Sequence, residues 1–127
     1  MNAELKFHES TLAMIAEECG DVVVRLRPAS VRQTEKNEVN GYTQNADLRF
    51  FQARLYSSPN QTPVWIAEGM LHAKGKPAFK AHVPMPFRSQ EDVSFTGVTA
   101  KGEIFRIEAR GFCIEPLGER CFVEKLA

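Results

Sequence analysis

The sequence predicts an all-β fold, a single-domain antiparallel sandwich or open barrel of about seven strands with at most one short helix. Most apolar segments alternate with polar residues at period two, which is typical of half-buried strands. Glycine, proline and asparagine clusters separate these segments, as turns do. The chain has 127 residues, 43% of them hydrophobic and 25% charged. This size suits one globular domain over residues 1–127.

The first segment, residues 10–19, fits two structures. Ser10 is a suitable helix cap and Gly20 a suitable helix end. The apolar residues between them have helical spacing and are Leu12, Ile15, Ala16 and Cys19. The segment also runs directly into a strong strand, as the first arm of a hairpin does. The hairpin is the favoured interpretation.

Six further segments read as strands, namely 21–28, 46–58, 64–74, 92–100, 103–115 and 120–126. In "DVVVRLRP" the apolar side chains at positions 22, 24 and 26 share one face, since side chains alternate along a strand. The same phase in the other segments predicts a core built from Val22, Val24, Leu26, Leu48, Phe50, Phe95, Phe105 and Ile107.

The connections follow from turn chemistry. Lys101-Gly102 predicts a hairpin, and Leu117-Gly118-Glu119 predicts another. Residues 57–63 read as a loop, and residues 32–45 as a long polar connection that is mobile or functional. The prolines of "VPMPF" remove backbone donors, so this stretch belongs at a sheet edge.

Charge, hydrophobic patterning and cysteine content argue against several classes of protein. Sixteen basic residues balance sixteen acidic ones, which argues against a general nucleic-acid or membrane-surface binder. No apolar run reaches the roughly 18 residues of a membrane span, and residues 1–15 lack the pattern of a signal peptide. We therefore expect a cytoplasmic protein. Three cysteines, an odd number, form no closed disulfide framework.

His8-Glu9-Ser10 is the most enzyme-like stretch. On a strand, His8 and Ser10 lie about 6.6 Å apart, beyond the reach of a nucleophile and its base. On a helix, the Ser10 hydroxyl is used as a cap. Both alternatives predict a structural role, and we expect no catalytic residue here.

No metal or cofactor motif is present. The histidines and cysteines lack the spacing of zinc ligands, and glycine-rich phosphate loops are absent. The one histidine pair that invites inspection is His72 and His82, which become cross-strand neighbours if "KGKP" closes a hairpin between them. We expect no metal and no cofactor.

Arginine provides the candidate binding residues. Five arginines at outward strand positions, together with one tryptophan, form a candidate arginine-rich sheet face: Arg25, Arg27, Arg49, Arg106, Arg110 and Trp65. Guanidinium groups suit carboxylate, phosphate and aromatic partners. The simpler interpretation is a solvated face on which arginine pairs with glutamate across strands, with Glu108 as one such partner.

Three short phrases resemble a loose class of short bacterial β-rich proteins. They are Phe7-His8-Glu9-Ser10-Thr11-Leu12, Gly20-Asp21-Val22-Val23-Val24, and Gly118-Glu119 with Phe122-Val123-Glu124. The resemblance implies a small β-rich fold. It carries no known reaction, so it implies no catalytic residue. Some small proteins of this sort neutralise toxins by binding, which favours a binding role.

The leading hypothesis is a non-catalytic binding or protein-interaction module, possible partners being an acidic protein or a second copy of the chain. The alternative is a small enzyme or ligand binder that uses His8, His72 or His82 in a cleft. The third is weak single-stranded nucleic-acid binding through the arginine face.

Overall fold

The computed structural model describes residues 2–127, and within this range every regular element is a β-strand. Among these residues, no helix is long and apolar enough to cross a membrane. The eleven strands are β1 Asn2–Lys6, β2 Thr11–Glu18, β3 Asp21–Glu35, β4 Glu38–Phe51, β5 Arg54–Ser57, β6 Val64–Ala73, β7 His82–Met85, β8 Arg88–Ser89, β9 Val93–Thr99, β10 Ile104–Ala109 and β11 Gly111–Lys125. The all-β prediction is confirmed.

The strands form one antiparallel sheet in the order β5-β10-β9-β6-β2-β3-β4-β11-β8, with β1 paired to both β3 and β7. We call β5, β6, β9 and β10 the second half-sheet and the remaining strands the first half-sheet. The sheet curls upon itself, because Phe50 on β4 packs against Phe95 on β9, four strands away along the order, with ring centroids 5.8 Å apart. The end strand β5 therefore returns beside the β2–β3 turn, where the Ala53 amide donates to the Gly20 carbonyl over 2.8 Å.

Aromatic rings fill the enclosed core. Phe95 contacts three other rings, Phe7, Phe50 and Phe105, at centroid distances of 5.2, 5.8 and 5.7 Å. All eight residues predicted from strand phase are in the core, each with at most 2% of its surface exposed. The period-two pattern therefore identified the inward faces correctly.

Two glycines allow large rings to lie flat on the sheet. A Cβ at Gly97 would approach Phe105 Cζ to 2.2 Å, and a Cβ at Gly69 would approach Phe7 Cβ to 2.6 Å. Any larger side chain would therefore force these rings out of position.

The predicted number of about seven strands is wrong, because β1, β7 and β8 were not predicted and the segments 46–58 and 103–115 are each divided between two strands. The long polar connection predicted at 32–45 is wrong as well. The chain continues as strand on both sides of a tight turn at Lys36-Asn37, where Lys36 has φ +56°. Thr34 pairs with Val39 and Arg32 with Gly41 in the resulting hairpin. These residues are polar because the hairpin extends beyond the core, so that apolar alternation is absent although the backbone is extended.

Other local expectations had mixed outcomes. Residues 11–18 form the hairpin strand and not the helix, pairing along β3. The turn at Lys101-Gly102 joins β9 to β10 as expected, with Gly102 at φ +81°.

The predicted hairpin at Leu117-Gly118-Glu119 is absent, since β11 passes through this point with a register irregularity against β4. Gly118, at φ +71°, supports that irregularity.

The sheet edges are short or obstructed. β5 and β8 contain four and two residues, and β7 contains Pro84, as the edge prediction for "VPMPF" required. The free side of β11 beyond Cys113 is long, but its pairing with β4 shifts register twice. Such features prevent strand addition from another chain.

We expect Phe105→Ala to lower the free energy of unfolding by about 3–5 kcal/mol, because it removes a fully buried ring. Gly97→Ala alone should cost about 1–3 kcal/mol through overpacking against that ring. In the Phe105→Ala background, Gly97→Ala should cost much less. Urea unfolding of the four proteins measures this coupling, and additive losses would contradict the packing described.

Candidate functional site

The predicted arginine-rich face is divided between the two half-sheets. Arg25 and Arg27 on β3 and Arg49 on β4 lie on the outer side of the first half-sheet, with Val23 opposite Arg49 and Asp47 opposite Arg25. Arg106 belongs to β10, and Arg110 follows that strand. The five arginines therefore do not make one surface.

The three arginines of the first half-sheet are neutralised within the molecule. Arg25 Nη2 lies 2.6 Å from a Glu18 carboxylate oxygen. Arg27 Nη2 lies 2.9 Å from Asp47 Oδ1, although within residues 2–127 that oxygen accepts no well-aligned hydrogen bond. Cross-strand pairing with acids, the simpler of the two interpretations, describes this face.

Arg49 is the centre of the network. Its Nε donates to Glu115 Oε1 over 2.8 Å, and its two other nitrogens lie 3.5 Å from Asp21 and Glu18. The hydrogen bond that Arg49 donates to Glu115 is the main cause that raises the pKa of Arg49 above its ordinary value. The guanidinium is opposite Val23, a fully buried side chain on the outer side of the sheet. Arg25, Arg27 and Arg49 are therefore engaged within the molecule and are not free to bind a phosphate or carboxylate ligand.

The second half-sheet presents a different surface, which we call the outer face. Its outward side chains lie in register across the strands. One row runs His72, Ser94, Glu108 and Arg54, the next runs Met70, Thr96 and Arg106, and the third runs Glu68, Val98 and Ile104. Trp65, at the start of β6, continues this face with 65% of its surface exposed.

Large apolar side chains are exposed on the outer face. Besides Trp65, Ile104 is 59% exposed and Met70 43% exposed. Val98 is opposite Ile104 and diagonal to Met70, so these groups are neighbours. Tryptophan, tyrosine, methionine and arginine are the residue types enriched in protein interfaces.

Two hollows lie beside these exposed apolar side chains. The His72 hollow, of about 650 Å³, is lined by Arg54, Tyr56, His72, Lys74, Ser94, Arg110 and their neighbours. The His8 hollow, of about 430 Å³, is lined by His8, Glu68, Met70, Lys80, Val98 and their neighbours. Both volumes are within the range of ligand-binding clefts.

Tyr56 organises one wall of the His72 hollow. Its hydroxyl donates to Glu108 Oε2 over 2.8 Å, while Arg106 donates to the other carboxylate oxygen over 2.9 Å. The guanidinium carbons of Arg54 and Arg106 each lie 5.7 Å from the centre of the tyrosine ring. The ring is therefore fixed between two cations, and both oxygens of Glu108 are engaged.

The row through the His72 hollow does not form a catalytic triad. Hydrolytic triads place the histidine between the nucleophile and the acid. Here Ser94 is between His72 and Glu108, and Glu108 is already bonded to Tyr56. Within residues 2–127, no hydrogen bond joins His72 to Ser94. The arrangement provides hydrogen-bonding groups for a ligand and lacks an oriented base.

The hairpin that would make His72 and His82 cross-strand neighbours is absent. His72 is opposite Ser94, whereas His82 is opposite Lys6 on β1, because β7 pairs with β1 and not with β6. His82 instead lies near His8, with ring centroids 5.9 Å apart. Burial lowers the pKa of His82, and nearby Arg32 lowers it further. A neutral, partly buried imidazole beside several cations is a poor site for a metal ion.

Among residues 2–127, no group of three or more histidine, cysteine, aspartate or glutamate side chains could hold a metal ion. The three cysteines are unpaired thiols. Cys113 is buried, and burial raises the pKa of its thiol. A thiol whose pKa is raised is a weak nucleophile at neutral pH.

His8-Glu9-Ser10 forms the turn between β1 and β2, which is neither the strand nor the helix considered from the sequence. Glu9 has φ +68°. The Ser10 hydroxyl is fully buried, donates to the Lys6 carbonyl over 2.6 Å and accepts from the Ser30 amide over 2.9 Å. The first bond ties the turn to β1 and the second ties it to β3, so the hydroxyl is occupied by the fold.

Arg54 and Lys74, and the partnership of Tyr56 with Glu108, were not found from the sequence. Arg54 and Tyr56 alternate with Leu55 at the end of the segment 46–58, and this phase was the available signal. Lys74 follows the last residue of β6 and carried no such signal. The chain matches no family model, no curated protein and no solved structure.

We expect Ser10→Ala to lower the free energy of unfolding by about 1–3 kcal/mol, because it leaves the buried Ser30 amide without its acceptor. Ser58→Ala, at an exposed loop position, is the matched control and should change stability by less than about 0.5 kcal/mol. Equal stability of the two variants in urea unfolding would show that the buried hydroxyl contributes nothing.

Proposed function

We propose that this protein is a non-catalytic, cytoplasmic interaction module that binds an acidic protein partner across its outer face. The observation that carries the proposal is the exposure of Trp65, Met70 and Ile104 on the outer face, beside a hollow lined by cations. An apolar centre with a charged rim is the usual anatomy of a protein interface. The sheet edges are less suited to strand addition, because they are short, proline-containing or irregular.

The distribution of charge supports a protein partner over nucleic acid. Phosphate-backbone binding depends on several free cations along one surface. Three of the five candidate arginines are held by carboxylates of the first half-sheet, and Arg106 is paired with Glu108. Among the described residues, Arg110 is the candidate arginine without an ion pair, and it lines the His72 hollow together with Arg54 and Lys74, which suits a local acidic contact.

A small ligand binder or enzyme that uses a histidine is the second candidate, and the position of His72 in a hollow of about 650 Å³ favours it. His8 also lines a hollow, whereas His82 is partly buried behind it. The order of His72, Ser94 and Glu108 supplies no oriented base, so binding is the better-supported role.

The test replaces one exposed methionine on each half-sheet. Met70 on the outer face and Met14 on the first half-sheet are 43% and 49% exposed, so Met70→Asp and Met14→Asp are matched changes. We expect the wild type and Met14→Asp to enrich the same acidic protein from extracts of the native cells. Met70→Asp should weaken that enrichment at least about tenfold, since it places a negative charge at the apolar centre of the interface.

Circular dichroism and thermal melts establish that both variants are folded. Enrichment that is equal in the two variants, or that is lost equally, would contradict binding through the outer face. Light scattering tests whether the occupant of the outer face is a second copy of the chain. A wild-type dimer that becomes monomeric in Met70→Asp would identify that occupant.

A further inference from the structure

Several residues that line the His72 hollow are small. Ala53, Gly75, Ser94 and Ala109 are among its lining residues, and Ala109 is almost fully buried beneath it. The longer side chains of Arg54, Lys74 and Arg110 stand around this floor. A short side chain from another molecule can therefore enter and be surrounded by cationic groups.

These cations are not neutralised by the protein. Among residues 2–127, Arg54, Lys74 and Arg110 form no ion pair, whereas Arg25, Arg27, Arg32, Arg49 and Arg106 all do. Three unpaired cations in one hollow repel one another, and an incoming anion relieves that repulsion.

The acidic residues of the hollow limit the charge of the ligand. Asp92 and Glu108 line it together with the three cations. Glu108 is bonded to Arg106 and Tyr56, so its charge is largely compensated. The excess positive charge is therefore small, which suits a singly charged carboxylate better than a doubly charged phosphate.

The geometry also favours a carboxylate. Arg54 is held against the Tyr56 ring, at 5.7 Å from its centre, so its planar donors are partly fixed before binding. Arginine donates two parallel hydrogen bonds to a carboxylate. The Ser94 hydroxyl, which forms no hydrogen bond within residues 2–127, is an additional donor at the floor.

We propose that the His72 hollow is a carboxylate-binding pocket that receives a glutamate or aspartate side chain from the acidic partner. This inference rests on the proposed function and adds the chemical group that is recognised and its position. Trp65, Met70 and Ile104 supply the apolar contact area beside it. The positive charges of Arg54, Lys74 and Arg110 favour a partner with an acidic side chain. A partner that bears an acidic residue next to an apolar one fits this surface.

The experiment titrates hexaglutamate into the full chain at about 20 mM salt, where screening between exposed charges is weak. Hexaglutamine is the uncharged control. We expect hexaglutamate alone to shift the backbone amide resonances of residues 54, 74, 94 and 110. Arg54→Gln/Arg110→Gln should weaken the affinity at least about tenfold, because two charge-assisted contacts are lost.

Lys36→Gln/Lys125→Gln is the matched control, since it removes the same charge at exposed positions on the first half-sheet. Its affinity for hexaglutamate should stay within about twofold of the wild type. An equal loss in both double variants would overturn the pocket in favour of general charge attraction. Shifts confined to other residues, an absence of binding, or tighter binding of hexathymidylate would also overturn it.

The two proposals fail separately. If Met70→Asp releases the native partner but hexaglutamate misses the pocket, the outer face stands and the carboxylate pocket is wrong. If hexaglutamate binds as expected but Met70→Asp retains the partner, the pocket stands and the apolar interface is wrong.

Discussion

The packing of Phe50 against Phe95 determines the rest of the structure. These rings belong to strands separated by three others in the sheet order, yet their centroids are 5.8 Å apart. Their contact closes the sheet around Phe7, Phe105 and Phe112, which are fully buried. Gly69 and Gly97 make the closure possible, because a Cβ at either position would occupy the space of a ring. Once the sheet is curled, each strand has one inward side and one side on the surface.

The two outer sides then differ in how their charges are arranged. On the first half-sheet, Arg49 joins Glu18, Asp21 and Glu115 into a network above Val23. Surface ion pairs add little stability. Here they lie above Val23 and pair the charge of Arg49 with acids of the same molecule. On the second half-sheet, Arg54, Lys74 and Arg110 are unpaired among residues 2–127 and adjoin exposed apolar groups. Among the described residues, Arg25, Arg27 and Arg49 are thus paired with acids, whereas Arg54 and Arg110 are not.

The sequence predicted the inward phase and the fold class because burial leaves a period-two pattern on each strand. Val22, Val24 and Leu26 show that pattern without any knowledge of their neighbours. Residues 32–45 were misread because a hairpin beyond the core has no apolar side to reveal it. Strand length there is set by backbone pairing, which the side-chain pattern does not record.

The candidate site was only partly predictable for a related reason. Arg106, Arg110 and Trp65 were identified as outward residues, and all three lie on or beside the outer face. Arg54 and Lys74 are far apart in sequence and line the same hollow because β5, β10, β9 and β6 are consecutive in the sheet order. Likewise, His82 lies beside His8 because β7 pairs with β1. Such neighbours depend on strand order. Strand order is set by contacts between residues distant in sequence, and the polar–apolar pattern of a single strand does not record them.

The curled sheet is the central claim, because both hollows and the division into two outer sides depend on it. Its most direct test is a nuclear Overhauser effect between the ring protons of Phe50 and Phe95. The centroid distance of 5.8 Å predicts a clear cross-peak, and the contact between Phe95 and Phe105 at 5.7 Å serves as the internal standard. In a flat sheet of the same strand order, four steps would separate Phe50 from Phe95 by about 19 Å. A Phe95–Phe105 cross-peak without one between Phe50 and Phe95 would contradict the closure and the surfaces derived from it.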